Sequence, residues 1–196
     1  MTQSNAQRAA GAFAQFLLMT ALLTLAGCAT TQVITANSKP PIQLQTMILD
    51  AERVDIMILP FAPNLETLPS SGSDDIPVSA EVRRAESRYL AFHLKDTLER
   101  TGNWGIVRVV PSAARHHPLL VSGKILASDG ERLAVSVTAT DASGRVWLTQ
   151  TYEDNASKYA YQSIKEDPFQ DLYNNIANDL VAQYQTRSAN EINAVK

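Results

Sequence analysis

The stretch LLVSGKILASDGERLAVSVTATDASGRVWLTQTY, residues 119–152, holds three strand-length segments in a row. Leu119 to Ala127, Arg132 to Thr140 and Arg145 to Tyr152 are rich in Val, Leu, Ile and Thr. Asp129-Gly130 separates the first two, and Ala142-Ser143-Gly144 separates the last two. A glycine in each break supplies the positive φ that a tight hairpin turn requires. The pattern predicts an antiparallel meander.

On the amino-terminal side, Val54-Asp55-Ile56-Met57-Ile58-Leu59 is a short apolar run ending at Pro60-Phe61. Such a run suits a strand buried on both faces. A polar loop follows from Ala62 to Val78, 17 residues with three prolines. Ser79 then offers a side-chain oxygen to cap a helix running to about Arg100, and Glu81 favours its first turn. Leu90, Leu94 and Leu98 mark the buried side, broadened by Val82, Ala85, Tyr89 and Phe92. Gly102 is placed to stop the helix in a left-handed conformation. Trp104 to Val110 reads as the next strand, so strand, helix and strand form a right-handed parallel crossover.

Beyond the meander, Asp167 caps a last helix, Pro168 occupies its first position and Gln170 completes a capping-box-like pair. Phe169, Leu172, Tyr173, Ile176, Ala177 and Leu180 begin an apolar stripe at helical period, the mark of a helix packed on the sheet. The expected fold is α/β: a mixed sheet of about five strands with one parallel strand-helix-strand crossover, an antiparallel meander and a C-terminal helix packed on the sheet.

The first 27 residues have another character. Arg8 is the one charged side chain before Cys28, and Phe16 to Leu25 is an apolar run interrupted by Thr20 and Thr24. A membrane span wants about 20 apolar residues, so this run fits a secretory signal better. It leads directly into Leu25-Ala26-Gly27-Cys28, which resembles the lipobox of bacterial lipoproteins. That resemblance implies thioether lipidation of Cys28, cleavage before it and N-acylation of the new terminus. Several acyl chains on one residue anchor stably where a single chain is marginal. Ala29, rather than Asp, follows the cysteine, and by resemblance to sorted lipoproteins this implies the outer membrane, with the domain facing the periplasm.

The domain plan is therefore a signal peptide over 1–27, a lipidated flexible tether over 28–50, a single α/β domain over 51–186 and a frayed tail over 187–196. Thr, Gln, Asn, Ser and Pro40-Pro41 give the tether its spacer composition, with a short strand or turn at Ile42 to Leu49.

Composition narrows the function classes. With 45% hydrophobic and 19% charged residues, the 196-residue chain has the make-up of one globular domain. From Cys28 onward it carries 16 basic and 20 acidic residues, a net charge of −4, and no basic stripe, which argues against nucleic acid as a partner. A single cysteine excludes an internal disulfide and a paired-cysteine zinc site.

Three local motifs carry a second resemblance. Ile56 to Phe61 looks like a first strand ending in Pro-Phe, Leu119 to Ile125 looks like an apolar–Gly–x–Ile strand, and Thr140 to Trp147 looks like an Asp-x-x-Ser/Thr-Gly hairpin. In this order, over residues 53–184, the chain resembles the curli-export lipoproteins, the flagellar outer-membrane lipoproteins, the lipoprotein activators of penicillin-binding proteins and the amino-terminal domain of the Tol-system propeller protein. The resemblance implies a domain that docks to other proteins and performs no chemistry. The chain lacks the extra length expected of the curli-export members for a pore, which argues against pore formation.

Reactive constellations are scarce. There is no Gly-x-Ser-x-Gly elbow, phosphate-binding glycine loop or His-Glu-x-x-His. His116-His117, with His93 as a third ligand, is the one arrangement that suggests a metal, but neighbouring strand residues point to opposite faces. Asp74-Asp75 and Glu166-Asp167 fall in a loop and at a helix start. Trp104 and Trp147 fit core positions, or else a stacking surface for a glycan. The expected function is a lipid-anchored periplasmic accessory or assembly lipoprotein whose partners are the bilayer, through Cys28, and another envelope protein. No catalytic, cofactor or metal residue is assigned. The alternatives are a small-ligand or peptidoglycan-binding lipoprotein and, less favoured, an envelope hydrolase.

Overall fold

The architecture comes from a computed structural model, which describes residues 33–35, 39–44, 48, 53–68, 79–113, 117–156 and 166–196. Six strands form one sheet: β1 (Val33–Thr35), β2 (Ile56–Ile58), β3 (Val107–Val109), β4 (Leu119–Ser128), β5 (Arg132–Asp141) and β6 (Val146–Asn155), in the order β1-β6-β5-β4-β2-β3. The helices are α1 (Ala80–Thr101), α2 (Gln170–Gln185) and α3 (Ala189–Ala194). The α/β fold, the crossover and the meander all appear. β2 pairs in parallel with both β3 and β4, while β4, β5 and β6 pair antiparallel.

The turns follow from their residues. The Asp129 carboxylate accepts the N–H groups of Glu131 and Arg132 at 2.9 and 2.7 Å, and Gly130 takes φ 91°. At the second hairpin, Asp141 Oδ1 accepts the N–H groups of Ser143 and Arg145 while Gly144 takes φ 82°. Ser79 Oγ caps α1 by accepting from Val82 N at 3.2 Å, and Gly102 ends the helix at φ 67°.

One sheet face carries the core. Ile56 and Ile58 from β2, Val121 and Ile125 from β4, and Val135 and Val137 from β5 are wholly buried. Against them pack Leu90, Leu94 and Leu98 of α1 and Leu172, Ile176 and Leu180 of α2. Residues of opposite parity, such as Ser122, Ser136 and Thr138, stay half-buried on the other face.

Four expectations need correction. First, Val82, Ala85, Tyr89 and Phe92 do not broaden the buried side of α1; all four are exposed, Val82, Tyr89 and Phe92 at 50%, 54% and 53%. The helix turns Arg83 and Ser87 inward instead, and both are held there by polar partners: Arg83 pairs with Glu86 at 3.3 Å and donates to Ser128 O, and the Ser87 hydroxyl donates to Phe61 O. Second, the last helix begins at Gln170, not Pro168. The Asp167 carboxylate accepts the Phe169 N–H at 2.8 Å, so it closes a turn ahead of the helix. Third, 187–196 is not a frayed tail. Ser188 and Glu191 form a capping box on α3, which places Ile192 and Val195 in the core at 5% exposure each. Fourth, two pieces of the 28–50 tether are attached. Val33–Thr35 adds a sixth strand beside β6, and the backbone of residues 40–44 is hydrogen-bonded to asparagine side chains. Spacer-like side chains do not prevent this, because the pairing uses backbone groups that every such segment carries. Residues Gln32–Lys196 form one compact unit.

Candidate functional site

A polar cleft of about 730 Å³ opens between the C-terminal half of α1, the start of α2 and the segment Pro40–Gln43. Its floor is a network centred on Gln170. The Gln170 amide donates to Thr97 Oγ1 at 3.1 Å and Asn174 Oδ1 at 2.9 Å. Its oxygen accepts from Arg100 Nη2 at 3.1 Å and lies 2.9 Å from His93 Nε2. All four hydrogen-bonding positions of the amide are filled, and the two helices are locked by polar contacts where the apolar stripe ends.

The rim is acidic: Glu166, Asp167 and Asp171 line it, together with Arg100. Tyr89 donates to Asp167 Oδ2 at 2.6 Å and stacks on His93 with ring centroids 5.7 Å apart. Burial pushes the Tyr89 hydroxyl up to about 12, with further help from the Asp167 hydrogen bond and charge. Burial also raises the Asp154 carboxyl above its usual range, and Asp171 and Asp167 add to the shift. Burial holds Tyr173, which packs against His93 at 4.5 Å, well above the usual phenol range.

Two asparagines fix the wall made by residues 40–44. Asn178 accepts from Ile42 N at 2.7 Å and donates to Pro40 O at 3.3 Å. Asn103 accepts from Leu44 N at 2.9 Å and donates to Ile42 O at 2.7 Å. Each side-chain amide thus reads both a donor and an acceptor of an extended backbone, as a neighbouring strand would.

The arrangement can bind a polar group or hold a peptide in extended form. His93, the candidate third metal ligand, is tied into the Gln170 network. Cys28, His116 and Asp74-Asp75 lie outside the described residues, and among the described residues no group of three His, Cys, Asp or Glu is placed to hold a metal. Glu166-Asp167 does reach the site, at its rim. Trp104 and Trp147 are each 4% exposed, so neither offers a stacking face to a glycan. Trp104 meets Tyr184 edge-on at 5.7 Å, and Trp147 donates to Asp141 Oδ2 at 2.8 Å beneath the Arg187 guanidinium. Arg100, Asn103, Asn174 and Asn178 are the residues that sequence reasoning missed. The available signal was the polar Thr97 and Asn174 at helix positions that face inward.

No protein-family model and no curated protein matches the chain. Solved structures do match. The chain is similar to protein XCC0632 from Xanthomonas campestris over 79% of its own length and 97% of that chain, at a TM-score of 0.46 and 10% identity. It is similar to a PelC variant from Paraburkholderia phytofirmans, solved as a dodecamer, over 74% and 94%, at 0.43 and 17% identity. A third likeness, to the hypothetical protein CT253 from Chlamydia trachomatis, covers 72% and 99% at 0.39 and 10% identity. Likeness at this level carries no argument about function.

Proposed function

We propose that this chain is a lipid-anchored accessory or assembly lipoprotein of the cell envelope, working by binding another envelope protein. The observation that carries the reading is the Leu25-Ala26-Gly27-Cys28 box directly behind an apolar signal-like run. Its place in the outer membrane, facing the periplasm, rests on Ala29 after the cysteine. Two features of the domain support a binding role. The polar groups of the cleft are engaged with one another rather than paired as nucleophile and base. Val82, Tyr89 and Phe92 give α1 an exposed apolar row at helical spacing, the kind of surface a protein partner covers.

In-cell crosslinking and affinity purification of the native chain and of Cys28→Ser test the reading. The expected result is an envelope protein recovered with the native chain and lost with Cys28→Ser. Failure to recover one with either form counts against it. The cleft supports a second reading, a small-ligand or peptidoglycan-binding lipoprotein. A thermal-shift screen with peptidoglycan fragments tests that; the absence of any shift removes it.

A further inference from the structure

We infer that the helix-free face of the sheet is the surface this protein lays against the headgroups of its own bilayer, leaving the helices turned toward the periplasm. The inference rests on the lipid-anchored reading and adds an orientation to it.

The first observation is the length of the leash. Val33, the first residue of β1, follows Cys28 by five residues. Five extended residues reach roughly 17 Å at most. An acylated Cys28 therefore keeps the β1 edge of the sheet within that reach of the lipid surface. Within β1, Ile34 pairs with Tyr152, whose side chain is in the core, so Val33 and Thr35 belong to the opposite face. Val33 is 54% exposed there.

The second observation is charge. By the same parity, the described strand residues of that face include Arg108, Lys124 and Arg132, with Glu153 as the opposing acid. Glu153 is paired with Arg132 at 2.8 Å, and Arg108 and Lys124 are exposed. Between them run small hydroxyl side chains: Ser122, Ser136, Thr138, Thr140, Thr149 and Thr151. On the other side, α2 contains no basic residue, and Glu166, Asp167, Asp171 and Asp179 crowd around it. The strand residues of this face thus carry three cations against one acid, while α1 is nearly balanced, with five cations and four acids, and α2 is acidic. Phosphate headgroups attract that face and repel the α2 side.

Because Cys28 is the one cysteine and its thiol is consumed in the thioether to lipid, an introduced cysteine can be spin-labelled selectively. The acylated mature chain is placed in phosphatidylethanolamine–phosphatidylglycerol vesicles doped with a nickel-chelating headgroup lipid. Thr149→Cys reports the hydroxyl-lined face, and Arg88→Cys reports the outer surface of α1. The nickel lipid is expected to relax the Thr149→Cys label at least threefold more strongly, and the contrast should shrink in an Arg108→Glu, Lys124→Glu background. Equal or reversed relaxation overturns the orientation. So does a Thr149→Cys label that is shielded from nickel and broadened by a label on a second copy, which would make this face a contact between copies. Mass analysis of the same sample separates the two claims. A mature chain with no acyl group on Cys28 overturns the anchored reading itself; an acylated chain without the contrast overturns only the orientation.

Discussion

The Phe61 ring lies against the backbone of Gly123, so the Pro-Phe corner after β2 and the glycine of β4 meet in space. A Cβ at position 123 would stand 2.5 Å from Cδ1 and 2.9 Å from Cζ of that ring. Phe61 is held there from two sides. Its N–H donates to Ser87 O at 3.0 Å, and the next residue's N–H donates to Gly123 O at 2.7 Å. The ring cannot retreat without breaking the corner. Gly123→Ala is expected to destabilise the domain by about 1–3 kcal/mol, the usual cost of overpacking. A Phe61→Leu, Gly123→Ala double variant should lose less than the sum of the single losses, as a double-mutant cycle in denaturant would show.

Gln170 has four partners, three of them on α1, so its loss strands several of them at once. Gln170→Ala leaves Thr97, at 0% exposure, and Asn174, at 6%, short of a partner each. The expected cost is about 2–3 kcal/mol, read from the midpoint of urea unfolding. Gln170→Glu should recover little, because a carboxylate keeps the Arg100 contact but cannot donate to Thr97 or Asn174.

How much of this was legible beforehand depends on whether a local rule was enough. The meander was, because Asp129 with Gly130 and Asp141 with Gly144 fix the two turns through carboxylate side chains and glycine φ angles only a few residues apart. The Ser79 cap and the Gly102 stop were legible for the same reason. The buried side of α1 was not. Val82, Tyr89 and Phe92 are apolar at helical spacing, and so are Leu90, Leu94 and Leu98; tertiary packing decides which stripe faces the sheet. The cleft was hidden because its members are polar residues drawn from three distant segments. Gln170 reads locally as a capping residue, yet its side chain spends all its hydrogen bonds on other partners.

The end of the chain offers a direct contrast between a frayed tail and a docked helix. Ile192 is buried, so Ile192→Ala is expected to cost about 2–4 kcal/mol and to lower the thermal midpoint. A frayed segment would tolerate the change with no measurable shift.

Asp141 links stability to pH. Burial works to raise its carboxyl, but hydrogen bonds from the Ser143 hydroxyl, the Trp147 indole and the N–H groups of Arg145 and Ser143 outweigh it and hold the group below the usual carboxylate range. An unfolded aspartate titrates near about 3.9. The folded form binds the proton more weakly, so the stabilisation is complete above that value and is lost as pH falls through the lower folded value. Glu191 is shifted the same way, to about 2, first by hydrogen bonds from Ser188 and then by Arg145. Asp141→Asn should be less stable than the native chain at pH 7 by about 1–3 kcal/mol. The difference should narrow below about pH 4, where the unfolded aspartate takes up its proton while the folded carboxylate still resists it. Urea midpoints measured from pH 7 down to pH 2 check both parts, and a difference that stays constant would remove Asp141 from the acid limb.

The asparagine clamp on residues 40–44 is open to measurement by hydrogen exchange. Ile42 N–H and Leu44 N–H each donate to one asparagine side chain, so their protection depends on Asn178 and Asn103 separately. Asn178→Ala should speed exchange at Ile42 by at least tenfold with a smaller effect at Leu44, and Asn103→Ala should do the reverse. Amides in the β4–β5 ladder should keep their native rates in both variants, because the clamp lies on the helix side and not in the sheet. If both amides exchange at the unprotected rate in the native chain, the segment is a free spacer and the wall of the cleft dissolves with it.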